Sequence, residues 1–182
     1  MLNIIAGSLS TGVPPVVPNS YESIATSIVG SGGSSSITFS SIPSTYAHLQ
    51  LRQFINGTSS TNFKGQFNGD TGNNYAVHYL LGDGSGVDAG AGTSINYYAN
   101  GLINSTSNTF AVSIVDILDY SSTSKNTTTR TLTGYDNNGS GLIILYSGLW
   151  LNTAAINSIT IFPNTGTFNQ YSSFALYGIK GA

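Results

Sequence analysis

Apolar side chains fall on alternate residues through much of this chain. In Ser34–Gly57 (SSSITFSSIPSTYAHLQLRQFING), Ile37 and Phe39 alternate with Ser36, Thr38 and Ser40, then Leu49 and Leu51 with His48, Gln50 and Arg52. A period of two marks strands with one buried face. Between the two runs lies Ile42-Pro43, where proline has no N–H to donate and holds its predecessor out of helical space. A corner is predicted there.

The same grammar continues on both sides. Tyr21–Val29 reads as the first strand, with Ile24, Thr26 and Ile28 on one side, and GSGGSS (30–35) as a flexible connection. Phe63–Phe67 and Tyr75–Leu81 are further strands, separated by the turn NGDTGNN (68–74). The spacing of Tyr75–Leu81 also fits two helical turns. Gly82–Thr93 (GDGSGVDAGAGT) reads as a long glycine-rich loop, and Ile95–Ile103 as holding a short edge strand. Thr109–Leu118 is almost continuously apolar, as for a strand covered on both faces. Residues 121–136 combine a loop with a threonine-rich strand, expected on an exposed pleated face. DNNGSG (136–141) is a hairpin turn, and Gly141–Leu151, Ile156–Phe162 and Ser173–Ile179 complete the set. About ten strands at this spacing predict an all-β fold, an antiparallel β-sandwich. Alternation selects Ile37, Phe39, Leu49, Leu51, Phe110, Val112, Ile114, Ile143, Leu145, Ile159, Ile161, Phe174 and Leu176 as core. Trp150, between Leu149 and Leu151, is expected in the core or at an interface.

Residues 1–20 differ from the rest. An apolar plug, MLNII, is followed by a Gly/Ser/Thr stretch and then by VPPVVP, a polyproline-like spacer. The expected division is an extended N-terminal arm, 1–20, and a single sandwich domain, 21–182. Leu2, Ile4 and Ile5 are the expected anchors of the arm on a partner, with Val13, Pro14, Pro15, Val16 and Val17 as its spacer.

Charge changes the picture next. Only 7% of the residues are charged, against roughly 25% in ordinary soluble domains. Solubility falls to Ser, Thr, Asn and Gly, a bias of extracellular or particle-bound β proteins. The formal charge of −2, with five Lys and Arg spread singly, argues against nucleic-acid binding. No run approaches the ~20 apolar residues of a membrane span. The start MLNIIAGSLS lacks the basic region and the apolar length of a signal peptide. With no cysteine, disulfides, thiolate zinc sites and thiol catalysis are excluded.

Catalytic constellations are sparse. His48 and His78 occupy different predicted strands and no G-x-S-x-G accompanies them. Asp116 and Asp119 are one local carboxylate pair, but their odd spacing places them on opposite faces of a strand. No catalytic residue and no cofactor is assigned. Calcium is the one metal the pattern admits: Asn68, Asp70 and Asn73 share one turn, and Asp83, Ser85 and Asp88 the next glycine-rich segment. Self-capped turns account for Asp70, Asp83 and Asp88 equally well. Tyr97, Tyr98 and Tyr135, with Tyr146, are candidate platforms for a glycan if they surround a groove.

SYESIAT (20–26), VGSGGSSSITFSSIPSTYAHLQLR (29–52), FNGDTGNNY (67–75) and INSITIFPNTGTFNQYSSFALYGIKG (156–181) resemble segments of small virion structural proteins of tailed bacteriophages, notably of marine and freshwater hosts. The leader IAGSLSTG before a proline-rich segment resembles theirs too. The middle of the chain, about 85–140, shows no such likeness. The resemblance implies a jelly-roll-like fold and a non-enzymatic role as capsid decoration (cement) or as a tail fibre or baseplate component. It implies other virion proteins as partners and a homo-oligomer, by the habit of such proteins a trimer, on the particle surface. The rival expectation is a carbohydrate-binding receptor module of a phage tail, its partner a host surface glycan.

Overall fold

The computed structural model describes residues 20–181. The arm residues Leu2, Ile4, Ile5, Val13, Pro14, Pro15, Val16 and Val17 therefore lie outside the described residues. The described chain has twelve strands and no helix: β1 (Tyr21–Ile28), β2 (Ile37–Phe39), β3 (His48–Ile55), β4 (Asn62–Phe67), β5 (Tyr75–Gly82), β6 (Val87–Ile95), β7 (Tyr98–Leu102), β8 (Ala111–Leu118), β9 (Thr127–Asp136), β10 (Gly141–Trp150), β11 (Ile159–Pro163) and β12 (Ser173–Ile179). They form two antiparallel sheets that stack as a β-sandwich. The wide sheet has eight strands in the order β1-β12-β3-β8-β9-β10-β5-β6, the narrow one four, β2-β11-β4-β7.

Two hairpins, β5–β6 and β9–β10, extend a simpler frame. Without them the order is β1-β12-β3-β8 over β2-β11-β4-β7, the strand order of a jelly roll. Both hairpins join the same side of the wide sheet, which therefore overhangs the narrow one.

The corner at Ile42-Pro43 carries the chain from β2 in the narrow sheet to β3 in the wide one. Ile42 is buried, and the Tyr120 hydroxyl donates to the Pro43 carbonyl. Facing side chains then close the core. Leu49, Leu51, Val115, Ile117, Phe174 and Leu176 of the wide sheet meet Ile37, Phe39, Phe63, Phe67, Ile159 and Ile161 of the narrow one. Each contributes about 1.5–3 kcal/mol by burial. At one end Phe67 stacks on Tyr98 with centroids 4.4 Å apart and leans on Trp150 at 5.5 Å. Trp150 is thus a core residue.

Several sequence expectations need correction. Val112, Ile114, Ile143 and Leu145 point outward; the inward positions of β8 and β10 are Ala111, Ser113, Val115, Ile117, Ile144, Tyr146, Gly148 and Trp150. These runs are apolar on both parities, so alternation could not choose the buried face. Phe110 precedes β8 and is only half-buried. A bulge between Ser23 and Ala25 reverses the parity of β1, leaving Ile28 exposed while Ile24 and Ala25 pack on the core. Gly82–Thr93 is no loop beyond the turn at Asp83–Gly86: β6 runs from Val87 and pairs with β5. Its Gly and Ala residues carry no apolar period, and the ladder alone defines it.

The threonines of β9 also reverse their expected role. Thr127, Thr129, Thr131 and Thr133 are buried on the inner face. There they meet β7, the edge strand of the narrow sheet. The Leu102 N–H donates to Thr133 Oγ1 at 3.1 Å, Thr131 Oγ1 donates to the Ala99 carbonyl at 3.1 Å, and Ser113 Oγ to the Asn100 carbonyl at 2.5 Å. Hydroxyls of one sheet thereby satisfy an edge of the other, where an unpaired buried main-chain group is costly.

Candidate functional site

The overhang of the wide sheet beyond β7 creates a cleft of about 330 Å³. Its floor is the inner face of β5 and β10, with Val77, Tyr79 and Leu81 beside Leu142, Ile144 and Tyr146. Asn62 and Lys64 of β4, with Tyr97, Ala99 and Leu102, form the opposite wall. Tyr79 and Tyr146 lie 6.3 Å apart, tilted by 59°. The Tyr79 ring can lie across β6 because residue 90 is glycine: a Cβ there would sit 2.7 Å from the ring. Its hydroxyl donates to Asp88 Oδ2 at 2.9 Å, and that bond raises the Tyr79 pKa. Burial pushes the Tyr146 phenol up to about 12. Across the cleft, Lys64 Nζ stands 4.1 Å from the Tyr97 centroid, a cation–π contact, and desolvation lowers its pKa.

Of the tyrosines singled out in the sequence, the cleft gathers Tyr97 and Tyr146. Tyr98 belongs to the core: it is 1% exposed, and its hydroxyl finds no hydrogen-bond partner among the described residues. Burial raises its pKa strongly. Tyr97 and Tyr98, adjacent in sequence, so fall on opposite sides. Tyr135 lines a separate depression with Gly82, Asp83 and Gly139 beside the β9–β10 hairpin. Tyr79 and Lys64 escaped the sequence reading, although the shared parity of 77, 79, 81 and 142, 144, 146 was a signal for this floor.

The calcium candidates do not converge. Asp70 accepts from the Gly72 N–H at 2.8 Å, from Asn74 Nδ2 at 3.0 and 3.2 Å, and from Trp150 Nε1 at 2.7 Å. Desolvation opposes its charge, yet these donors hold the carboxyl below the usual range. Asp83 takes the N–H groups of Ser85 and Gly86, both at 2.8 Å, which lower its pKa. Asp88 serves Tyr79. Capped turns and a tyrosine clamp thus occupy these carboxylates, and no group of three His, Asp or Glu gathers among the described residues.

The histidines and the carboxylate pair lie apart as well. His48 Nδ1 accepts from the Asp119 N–H at 3.0 Å, whereas His78 is exposed on β5 with three strands between. Asp116 accepts from Gln50 Nε2 at 2.7 Å. Asp119 pairs with Lys125, and that bond holds its carboxyl low.

A second surface stands out on the outer face of the wide sheet. Strand register places Leu80, Leu145, Leu132 and Ile114 in one cross-strand row ending at Arg52. The adjacent row reads Val87, Gly82, Ile143, Gly134, Val112 and Phe54. The large side chains other than Ile114 are between 40% and 84% exposed. The row on the other side is polar: His78, Ser147, Arg130, Asp116 and Gln50. A polar row, in which Gln50 Nε2 donates to Asp116, thus bounds the apolar rows on one side. Comparison of the chain with family models, with curated proteins and with solved structures finds no match.

Proposed function

We propose that this chain is a non-enzymatic structural protein of a tailed-phage virion, acting through protein–protein contacts on the particle surface. One observation carries the reading: the apolar rows on the wide sheet's outer face. A contiguous exposed apolar surface of this size on a weakly charged domain is a mark of assembly. The resemblance of the first third and the end of the chain supplies the virion. On this reading the face holds copies of the chain together in a homo-oligomer, and the N-terminal arm attaches them to neighbouring virion proteins. Both capsid decoration and a tail fibre or baseplate position fit. Quantitative mass spectrometry and antibody labelling of purified particles test it. Hundreds of copies on the shell are the cement outcome and a few to tens at the tail the fibre or baseplate outcome. Absence from washed particles would overturn the proposal.

The cleft favours a second reading, a carbohydrate-binding module of a phage tail. Tyr97 and Tyr79 offer aromatic faces, and Lys64, Asn62 and Asp88 bring polar atoms to the rim, the mix that sugar C–H faces and hydroxyls require. On this reading Tyr97→Ala abolishes binding in a glycan array while Tyr135→Ala does not. Equal binding by both variants would exclude the cleft.

A further inference from the structure

We propose that the apolar rows of the outer face pair with the same rows of a second copy of this chain, sheet against sheet about a twofold axis. This deepens the assembly reading and rests on it. The shape of the surface sets the occupant. The apolar rows cross β3, β8, β9, β10, β5 and β6, a breadth of about 24 Å at the ordinary strand spacing. A second sheet, stacked at ~10 Å and turned about an axis along the strands between β10 and β5, covers the part of the surface on β9, β10, β5 and β6.

The relief within the patch is self-complementary. Ile143 stands 56% exposed, and its cross-strand neighbours on both sides are Gly82 and Gly134. At Gly82 an added Cβ would meet nothing within 4 Å, so a hollow lies one strand from the knob. A twofold operation sets each Ile143 into the partner's hollow, with Leu80 and Leu145 closing around it. An isologous interface requires knob and hollow on one surface, and this row supplies both. Charge does not oppose the pairing. The row above the patch holds Asp116 opposite Arg130, so each copy brings both signs to the rim.

Area agrees. The apolar side chains this axis brings together, Leu80, Val87, Leu132, Ile143 and Leu145, are 49% to 84% exposed and amount to on the order of 450 Å² per copy, a large patch for a lone monomer. Two such faces bury about 1,000 Å² once the rim is counted, the lower end of specific interfaces. The pattern of the chain gives the same answer: β8 and β10 are apolar on both faces, and one copy covers only the inner one.

Sedimentation of the full chain at ~100 µM tests the pairing. The expected result is twice the chain mass of 18.9 kDa. Leu145→Glu is expected to weaken association at least a hundredfold with an unchanged circular dichroism spectrum. Thr128→Glu, on the same face but beyond the polar row, is expected to leave it intact. Because the chain has no cysteine, Ile143→Cys and Thr128→Cys give an independent readout with a short bismaleimide. Cross-linked dimer is expected from the first and not from the second. A monomeric or trimeric wild type, a dimer that survives Leu145→Glu, or equal cross-linking at both sites overturns the pairing. A monomer found in virions defeats the pairing and leaves the assembly reading standing; a dimer absent from virions does the reverse.

Discussion

Trp150 Nε1 donates a 2.7 Å hydrogen bond to Asp70 Oδ2, tying the end of β10 to the turn between β4 and β5. The same carboxylate holds Asn74 and the Gly72 N–H, so one side chain locks the turn at the edge of the aromatic core. Asp70→Ala leaves an indole N–H without its partner at a buried residue. The expected cost is about 1–3 kcal/mol, measured by urea denaturation.

The pH dependence follows from the same contact. The folded-state pKa of Asp70 is lowered, so its contribution is fully present above the unfolded value, about 3.9. It is lost as pH falls through the folded value, because the unfolded chain binds the proton first. Asp70→Asn is therefore expected to flatten the fall in stability below about pH 4. An unchanged acid limb would show that the carboxylate charge is not what the turn uses.

The inward and outward parity of the wide sheet's strands β3, β8, β9 and β10 is open to direct measurement. Ile117→Ala and Leu51→Ala empty fully buried positions and are expected to cost about 2–5 kcal/mol. Leu132→Ala and Leu145→Ala, on the outer face, are expected to cost less than about 1 kcal/mol in the dissociated protein. Comparable losses for all four in guanidinium titrations would mean that the assigned register is wrong.

Where alternation was clean, the sequence placed the fold. Ile37, Phe39, Leu49 and Leu51 are flanked by polar residues, so the pattern named the face that meets the core, and these four are buried there. Where both parities were apolar, as at Val112–Ile117 and Ile143–Tyr146, pattern could identify a strand but not its orientation. β6 was missed for the opposite reason: Ala89, Gly90, Ala91 and Gly92 offer no contrast, and main-chain pairing to β5 defines the strand. The cleft was half legible. Tyr97 and Tyr146 were in view, but Lys64 and Tyr79 reach it from other strands, and only the overhang made by the two hairpins brings them together.

The sealed edge of β7 gives another expectation. Thr133→Val keeps the shape of the side chain but removes the acceptor for the Leu102 N–H. Leaving that buried donor unpaired costs about 1–3 kcal/mol. Hydrogen exchange at the Leu102 amide is expected to accelerate, whereas Thr128→Val, on the outer face, leaves it unchanged. Equal protection in both variants would place the partner of Leu102 elsewhere.

On the proposed virion role, the arm and the sheet face make separable contributions. Every strand among the described residues begins at Tyr21 or later, and the Ser20 carbonyl accepts from the Lys180 N–H at 3.0 Å. Deleting residues 1–18 therefore removes none of the described strands and spares this closing bond. The truncated chain is expected to keep its circular dichroism spectrum and its melting temperature within a few degrees, since every core side chain among the described residues is kept. It is also expected to keep the self-association that Leu145→Glu abolishes, because the face is untouched. Particle binding separates the two contributions. The deleted segment carries Leu2, Ile4 and Ile5 behind a proline-rich spacer, whose pre-set backbone limits the entropy lost on docking. Several arms presented by one oligomer multiply a weak contact. Truncation is thus expected to reduce occupancy on virions by at least tenfold while leaving the oligomer whole. Normal occupancy by the truncated chain would assign attachment to the sandwich itself and reduce residues 1–18 to a leader.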